Sequence, residues 1–351
     1  MWASGIIAVM VSLECLEMGM TTLSKAAMRR GMNNFVFVVY SNAIAFLFLL
    51  PSTFVFHRIR PCPQLTFSIV SRIFILAFLS YSAQICICMG IEYSSPTLAS
   101  AMVALVPGFT FIFASVTRME KLEFKLKSSL AKSIGAIISV VGAFIVTFYK
   151  GPEILLSHES PSEVLPLISP LPQSNWIIGG FLLAIASVMV ASSCIVQTWI
   201  VMDYPAGLMI SLNACFFVTI QSVIVALIAE RDLNVWKLGL DMQLVTIGYY
   251  GILVLAIKGV VITWVLHKKG PVFVTMFKPL GMIIAFVLEV IFLGDCLHFG
   301  SIIGAAIIAL GFYSVMWGKA QEMNILEQSE VPDSDSPTDK SCLLEHNNMG
   351  V

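Results

Sequence analysis

Inside its apolar stretches this chain carries few ionisable side chains, and those few are regularly spaced. Glu14, Met18, Thr21 and Lys25 fall at i, i+4, i+7 and i+11, which places them on one face of a helix. Lys278, Met282, Ala285 and Glu289 repeat that spacing, so each stripe carries a carboxylate and an amine about three helical turns apart. Lys258 stands alone in another apolar run. A charge in the middle of a bilayer costs about 2.5–3.5 kcal/mol on insertion scales, so such a residue normally faces a cavity or a partner. Two chemistries are open. Lys278 or Lys258 meets a carboxylate on a small molecule while Glu14 or Glu17 meets an amine or a proton, or these groups pair with one another across helices and Lys25 snorkels to the interface.

Proline supplies a second signal. Pro107 and Pro279 interrupt two apolar runs, and each removes a backbone donor and frees a carbonyl, which neighbours or a cavity must satisfy. A site at these breaks and a simple packing kink fit equally. Gln84, Gln197, Asn213 and Gln221 are neutral polar residues in apolar surroundings, suited to bonds between helices. Tyr40, Trp199 and Trp264 are available for stacking or for packing, and Gly135, Gly142, Gly304 and Gly311 make small faces for close helix approach, within the fold or in a homodimer.

The elements that hold these residues follow from composition. Of 351 residues 58% are hydrophobic and 12% charged, with mean hydropathy +0.90, a surface that water does not tolerate. The chain is an all-α membrane protein, since a spanning helix needs about 20 mostly apolar residues. We expect ten spans in two five-span units, residues 1–150 and 175–318, separated by a Pro-rich extracytoplasmic linker at 151–174 and followed by a disordered cytoplasmic tail at 319–351. Residues 93–123 slide without a gap onto 268–298, pairing Pro96 with Pro271 and Leu105 with Leu280. After six extra residues in the first copy, Gly135 pairs with Gly304 and Gly142 with Gly311. The chain is internally duplicated.

An odd number of spans makes the two copies enter the membrane from opposite sides, and the loops agree. In the first copy Arg118, Lys121, Lys125 and Lys127 follow span four; in the second, Lys268 and Lys269 precede span nine. Positive charge marks the cytoplasmic side, so both termini are expected there and the repeats are inverted. Inverted repeats are typical of secondary transporters, in which one midplane site opens to either side in turn; a pore would fit the duplication as well.

Enzyme chemistry finds no support: HExxH, GxSxG, Walker and dinucleotide motifs are missing from the sequence. The eight cysteines lack metal spacing. No cofactor or metal is implied, and net charge −1 gives no field for nucleic acid. In the tail, Asp339, Leu343 and Leu344 form an acidic dileucine pattern that a sorting adaptor would read. The plasma membrane is the expected location, with the vacuolar membrane open through that pattern.

The runs GIEYSSPTLASAMVALVPGFTFIFASVTRMEKL, YKGP, GPVFVTMFKPL and GFYSVMWGK resemble the plant WAT1-related (walls are thin) or UMAMIT family, within the EamA branch of the drug/metabolite transporter superfamily. The resemblance covers nearly all of residues 5–320. It implies ten helices in two inverted EamA repeats and a bidirectional or export-biased carrier of amino acids or auxin-like acids. It also implies that Glu14, Gln84, Pro107, Lys258, Lys278 and Pro279 lie at or near the substrate path, while spans five and ten lie outside it. A relative that kept the fold and lost transport is the alternative.

Overall fold

Where no water reaches the backbone, a segment must satisfy its own N–H and C=O groups, and a helix does so within one chain segment. The computed structural model describes residues 2–29, 32–59, 65–94, 96–119, 127–149, 151, 173–231, 236, 242–275, 277–288 and 299–330, and among them there is no strand. The order is α1 (Trp2–Arg29), α2 (Asn34–Ile59), α3 (Phe67–Tyr93), α4 (Pro96–Val103), α5 (Val106–Val116), α6 (Lys127–Phe148), α7 (Gln173–Asp203), α8 (Gly207–Ala229) and α9 (Met242–Tyr249). A π-helical segment (Tyr250–Lys258) follows, then α10 (Gly259–Lys269), α11 (Pro271–Thr275), α12 (Lys278–Leu288) and α13 (Phe299–Glu330). Among the described residues six stretches are long and apolar enough to cross a membrane: Gly5–Ser24, Asn34–Phe56, Phe67–Tyr93, Trp176–Asp203, Gly207–Ala229 and Gln243–Lys269. Ten spans remain an expectation beyond these six.

Of the two readings that the sequence left open for the prolines, the structure shows breaks between helical segments, not kinks in continuous helices. Each is the second residue of a new segment: Pro107 in α5 and Pro279 in α12. Proline suits a helix start, where its missing N–H has no intrahelical partner to lose. Ahead of Pro107 the chain makes a turn in which Leu105 N donates to Met102 O at 3.1 Å. Around Pro279, Leu280 N reaches Phe277 O at 3.1 Å. A third stop lies before α11, where Gly270 takes φ 81° and its N–H caps Leu266 O at 3.0 Å. Only glycine adopts that left-handed conformation without strain, and Pro271 then prevents α10 from continuing.

Several helix contacts come in exchangeable pairs, although the extensive α3–α7 contact has only a smaller counterpart between α1 and the α9–π-helical stretch. α2 lies along α8, α6 along α13 and α4 against α12; α1 packs on α12 as α4 and α5 pack on α7, and α2 meets the π-helical segment as α3 meets α8. The α6–α13 contact is made by the four glycines. A methyl group on Gly142 would sit 2.9 Å from Ile308 N and 3.0 Å from Gly304 O, so the backbones touch. Ser139 Oγ and Ser314 Oγ donate across this seam to Ile308 O (3.4 Å) and Ala131 O (3.0 Å).

Residues 319–330, assigned above to a disordered tail, are instead helical, because α13 runs on to Glu330. The dileucine pattern, Glu289 and linker residues 152–172 lie outside the described residues.

Candidate functional site

Glu14 and Met18 are one turn apart on α1, and that face lies on α12. The approach is close because position 281 is glycine: a Cβ there would meet Glu14 Oε2 at 3.1 Å and Met18 Cε at 3.3 Å. Lys278 opens α12, and Lys258 ends the π-helical segment. Lys278 Nζ lies 3.2 Å from Glu14 Oε1 and donates to Glu17 Oε2 at 2.5 Å. Lys258 Nζ donates to the same Glu17 oxygen and stands 3.9 Å from Glu14 Oε1. Four charges from three elements therefore close on one another.

Their formal charges sum to zero, which is what allows them to be buried. The side chains of Glu14, Lys258 and Lys278 are 1%, 6% and 10% exposed, whereas Glu17 is 27% exposed. Each ion removed from water costs several kcal/mol, recovered only when partners are close and well placed. Glu14 is the tightest case. Its two oxygens have no partner in hydrogen-bonding geometry, so it is held by charge and by position. That position is favourable: a helix N-terminus presents free N–H groups and the positive end of the helix dipole. A lysine as first residue of α12 runs against the dipole, and the two carboxylates offset it.

Apolar packing seals one side of the cluster. Met10 and Leu13 of α1, Ile73 and Leu76 of α3, Ile200 and Tyr204 of α7, and Val265 and Leu266 of α10 form a common core, with Leu16 and Phe277 packed against it. At that end Arg72 bonds Asp203 and stacks 3.9 Å over the Trp199 ring. Cys194 of α7 and Tyr250 lie within electrostatic reach of the charges.

Of the six residues singled out in the sequence, the structure brings Glu14, Lys258 and Lys278 together. Pro279 follows Lys278 directly and sets the helix start. Gln84 sits on α3 and accepts from Asn42 Nδ2 at 2.9 Å, a bond separate from the charges. Pro107 is buried in the first turn of α5, on the opposite repeat. Glu17 was weighed with Glu14 but not chosen; it is the residue both lysines bind. Asn42 was not foreseen at all, although a buried asparagine (1% exposed) needs a partner.

The region that the internal sequence duplication makes equivalent to the cluster carries no charge among the described residues. The gapless alignment places Val103 opposite Lys278, and the corresponding helices enclose Ile91, Leu98, Met102 and Leu183. There Ser187 Oγ of α7 donates to Met102 O at 2.7 Å.

Buried, mutually neutralising charges at the start of an interrupted helix, in an all-α bundle with six membrane-length stretches among the described residues, define a polytopic membrane protein with an internal charged site, and the comparisons with known proteins supply its class. The EamA-like transporter family matches residues 4–148. Two WAT1-related proteins of Arabidopsis thaliana are each 43% identical, one over 97% of this chain and 95% of its own length, the other over 91% and 88%. A third is 41% identical over 89% and 88%. A crystal structure only 12% identical superposes with TM-score 0.59, covering 89% of this chain and 96% of its own, which speaks for the fold alone. The chain belongs to the WAT1-related family of EamA-like transporters.

Proposed function

We propose that the protein is a secondary carrier that moves small zwitterionic or organic-acid metabolites, amino acids or auxin-like acids, by alternating access. The observation that carries this reading is the buried cluster of Glu14, Glu17, Lys258 and Lys278. Two ammonium groups beside a helix N-terminus suit a carboxylate, and the two glutamates suit an amine. The paired helix contacts support two inverted five-span repeats, and with them ten spans and a site between the halves, while the basic loops support both termini in the cytoplasm. The chain is read as non-enzymatic and as resident in the plasma membrane.

Counterflow in proteoliposomes tests this. Labelled amino acids and indole-3-acetic acid are supplied outside and unlabelled ones inside, for wild type and Lys278→Ala. A carrier shows trans-stimulated flux that the substitution abolishes while the protein stays monodisperse. Conductance without trans-stimulation would indicate a pore, and silence across a broad metabolite panel a relative that no longer transports.

A further inference from the structure

We infer that Glu17 occupies the seat of the substrate's carboxylate: a free carboxylate replaces it between Lys258 and Lys278 when the carrier loads. This rests on the transport reading above and makes its site specific. Three observations lead here. One oxygen of Glu17 bonds both ammonium groups, so a single carboxylate satisfies the pair. Glu17 is also the one member of the cluster with substantial exposure, 27% against 10% or less for the other three. Finally, Glu14 cannot perform the same exchange. It is 1% exposed and confined between Lys278 and the backbone at Gly281, where even a methyl group would come within 3.1 Å of it. Glu14 is therefore the fixed counter-charge and Glu17 the movable one.

Charge counting then distinguishes substrates. A zwitterion puts its carboxylate on the lysines and offers its ammonium to the displaced Glu17, so the site stays neutral. A monoanion leaves Glu17 displaced and uncompensated among Glu14, Lys258, Lys278, Cys194 and Tyr250, and the site stays neutral only if Glu17 takes up a proton from water. Zwitterions are thus accommodated without a proton, and monoanions together with one.

The test needs no knowledge of the natural substrate, because acetate carries the carboxylate and adjoining carbon that Glu17→Ala removes. Glu17→Ala is expressed as the full chain, purified throughout in acetate, and then exchanged into chloride or acetamide while its melting temperature is followed. Acetate should raise that temperature saturably, with an apparent affinity at least about tenfold above that of wild type. Neither chloride nor acetamide should substitute, and adding Lys258→Met and Lys278→Met should remove the effect. The isosteric Glu17→Gln should show the same preference for acetate with less destabilisation. The inference is overturned if acetate stabilises Glu14→Ala as well as it does Glu17→Ala, if neither Glu17 variant responds, or if Glu17→Ala cannot be recovered even in acetate. Since occupancy is read without transport, counterflow that depends on Lys278 alongside a missing acetate response would leave the carrier reading intact and remove only this one.

Discussion

Lys278→Met keeps the stem of the side chain and deletes its charge, and the structure gives the cost. Glu14 loses its 3.2 Å partner and keeps only Lys258 at 3.9 Å, while Glu17 loses one of its two donors. Two carboxylates then share one ammonium in a buried site. Breaking a buried ion pair from one side costs about 3–5 kcal/mol, because the remaining charge is uncompensated. Glu14→Gln should be costly for the mirror-image reason. The double variant Lys278→Met/Glu14→Gln removes one charge of each sign and leaves the Glu17–Lys258 pair whole, so its main cost is an imperfectly bonded amide, about 1–3 kcal/mol. The double variant should therefore be about 2 kcal/mol more stable than Lys278→Met alone, where simple addition of the two single losses would make it about 3–5 kcal/mol less stable. Equilibrium unfolding in mixed micelles measures all four proteins. If the two single losses simply add, within about 0.5 kcal/mol, the pairing described here is wrong.

Two glycine substitutions separate the site from the scaffold. Gly281→Ala places a methyl group 3.1 Å from Glu14 Oε2 and 3.3 Å from Met18 Cε. The thioether yields readily, but the carboxylate is held by Lys278, so we expect a folded protein, about 1–2 kcal/mol less stable, with reduced counterflow; full flux would argue against a role for this contact. Gly311→Ala meets Ser139 N at 2.7 Å and Gly135 O at 2.6 Å, backbone atoms that move only if α6 and α13 part. It should lower stability by about 1–3 kcal/mol while leaving flux per folded molecule unchanged, as thermal unfolding and counterflow together would reveal.

Much of the site was legible because lipid makes intramembrane charge expensive. Glu14, Lys258 and Lys278 stand out in apolar runs for that reason alone, and the duplication pointed to where two broken helices would lie. The residues that escaped notice did so for physical causes. Glu17 was weighed beside Glu14, one turn away on the same side of α1, but not chosen; that it binds both lysines follows from the convergence of α1, α12 and the π-helical segment, which a single helical period does not show. The π-helical turn before Lys258 is wider than an α-turn, so a 3.6-residue period would not place that lysine on its actual face. The prolines were found as breaks, but a packing kink stayed equally open, since the sequence does not show whether a turn precedes them. The glycines of α6 and α13 left a choice between an internal seam and a homodimer; the contact between these two helices answers for the seam, while the pairing of Asn42 with Gln84 spans 42 residues and has no local signature.

The charged cluster has an apolar counterpart around Val103, Leu98 and Leu183, and for a carrier this removes a degeneracy. Two identical inverted repeats would make the inward-facing and outward-facing forms mirror states of equal energy, with the same half-saturation on either face. In an alternating-access carrier built this way one half would bring ions to the exchange and the other hydrocarbon, so the two forms would differ in free energy and one would be preferred at rest. Such a carrier would not drive net flow without a gradient, but it would rectify. Its maximal velocities in the two directions would differ, with thermodynamic balance fixing their ratio to the ratio of the two half-saturation constants.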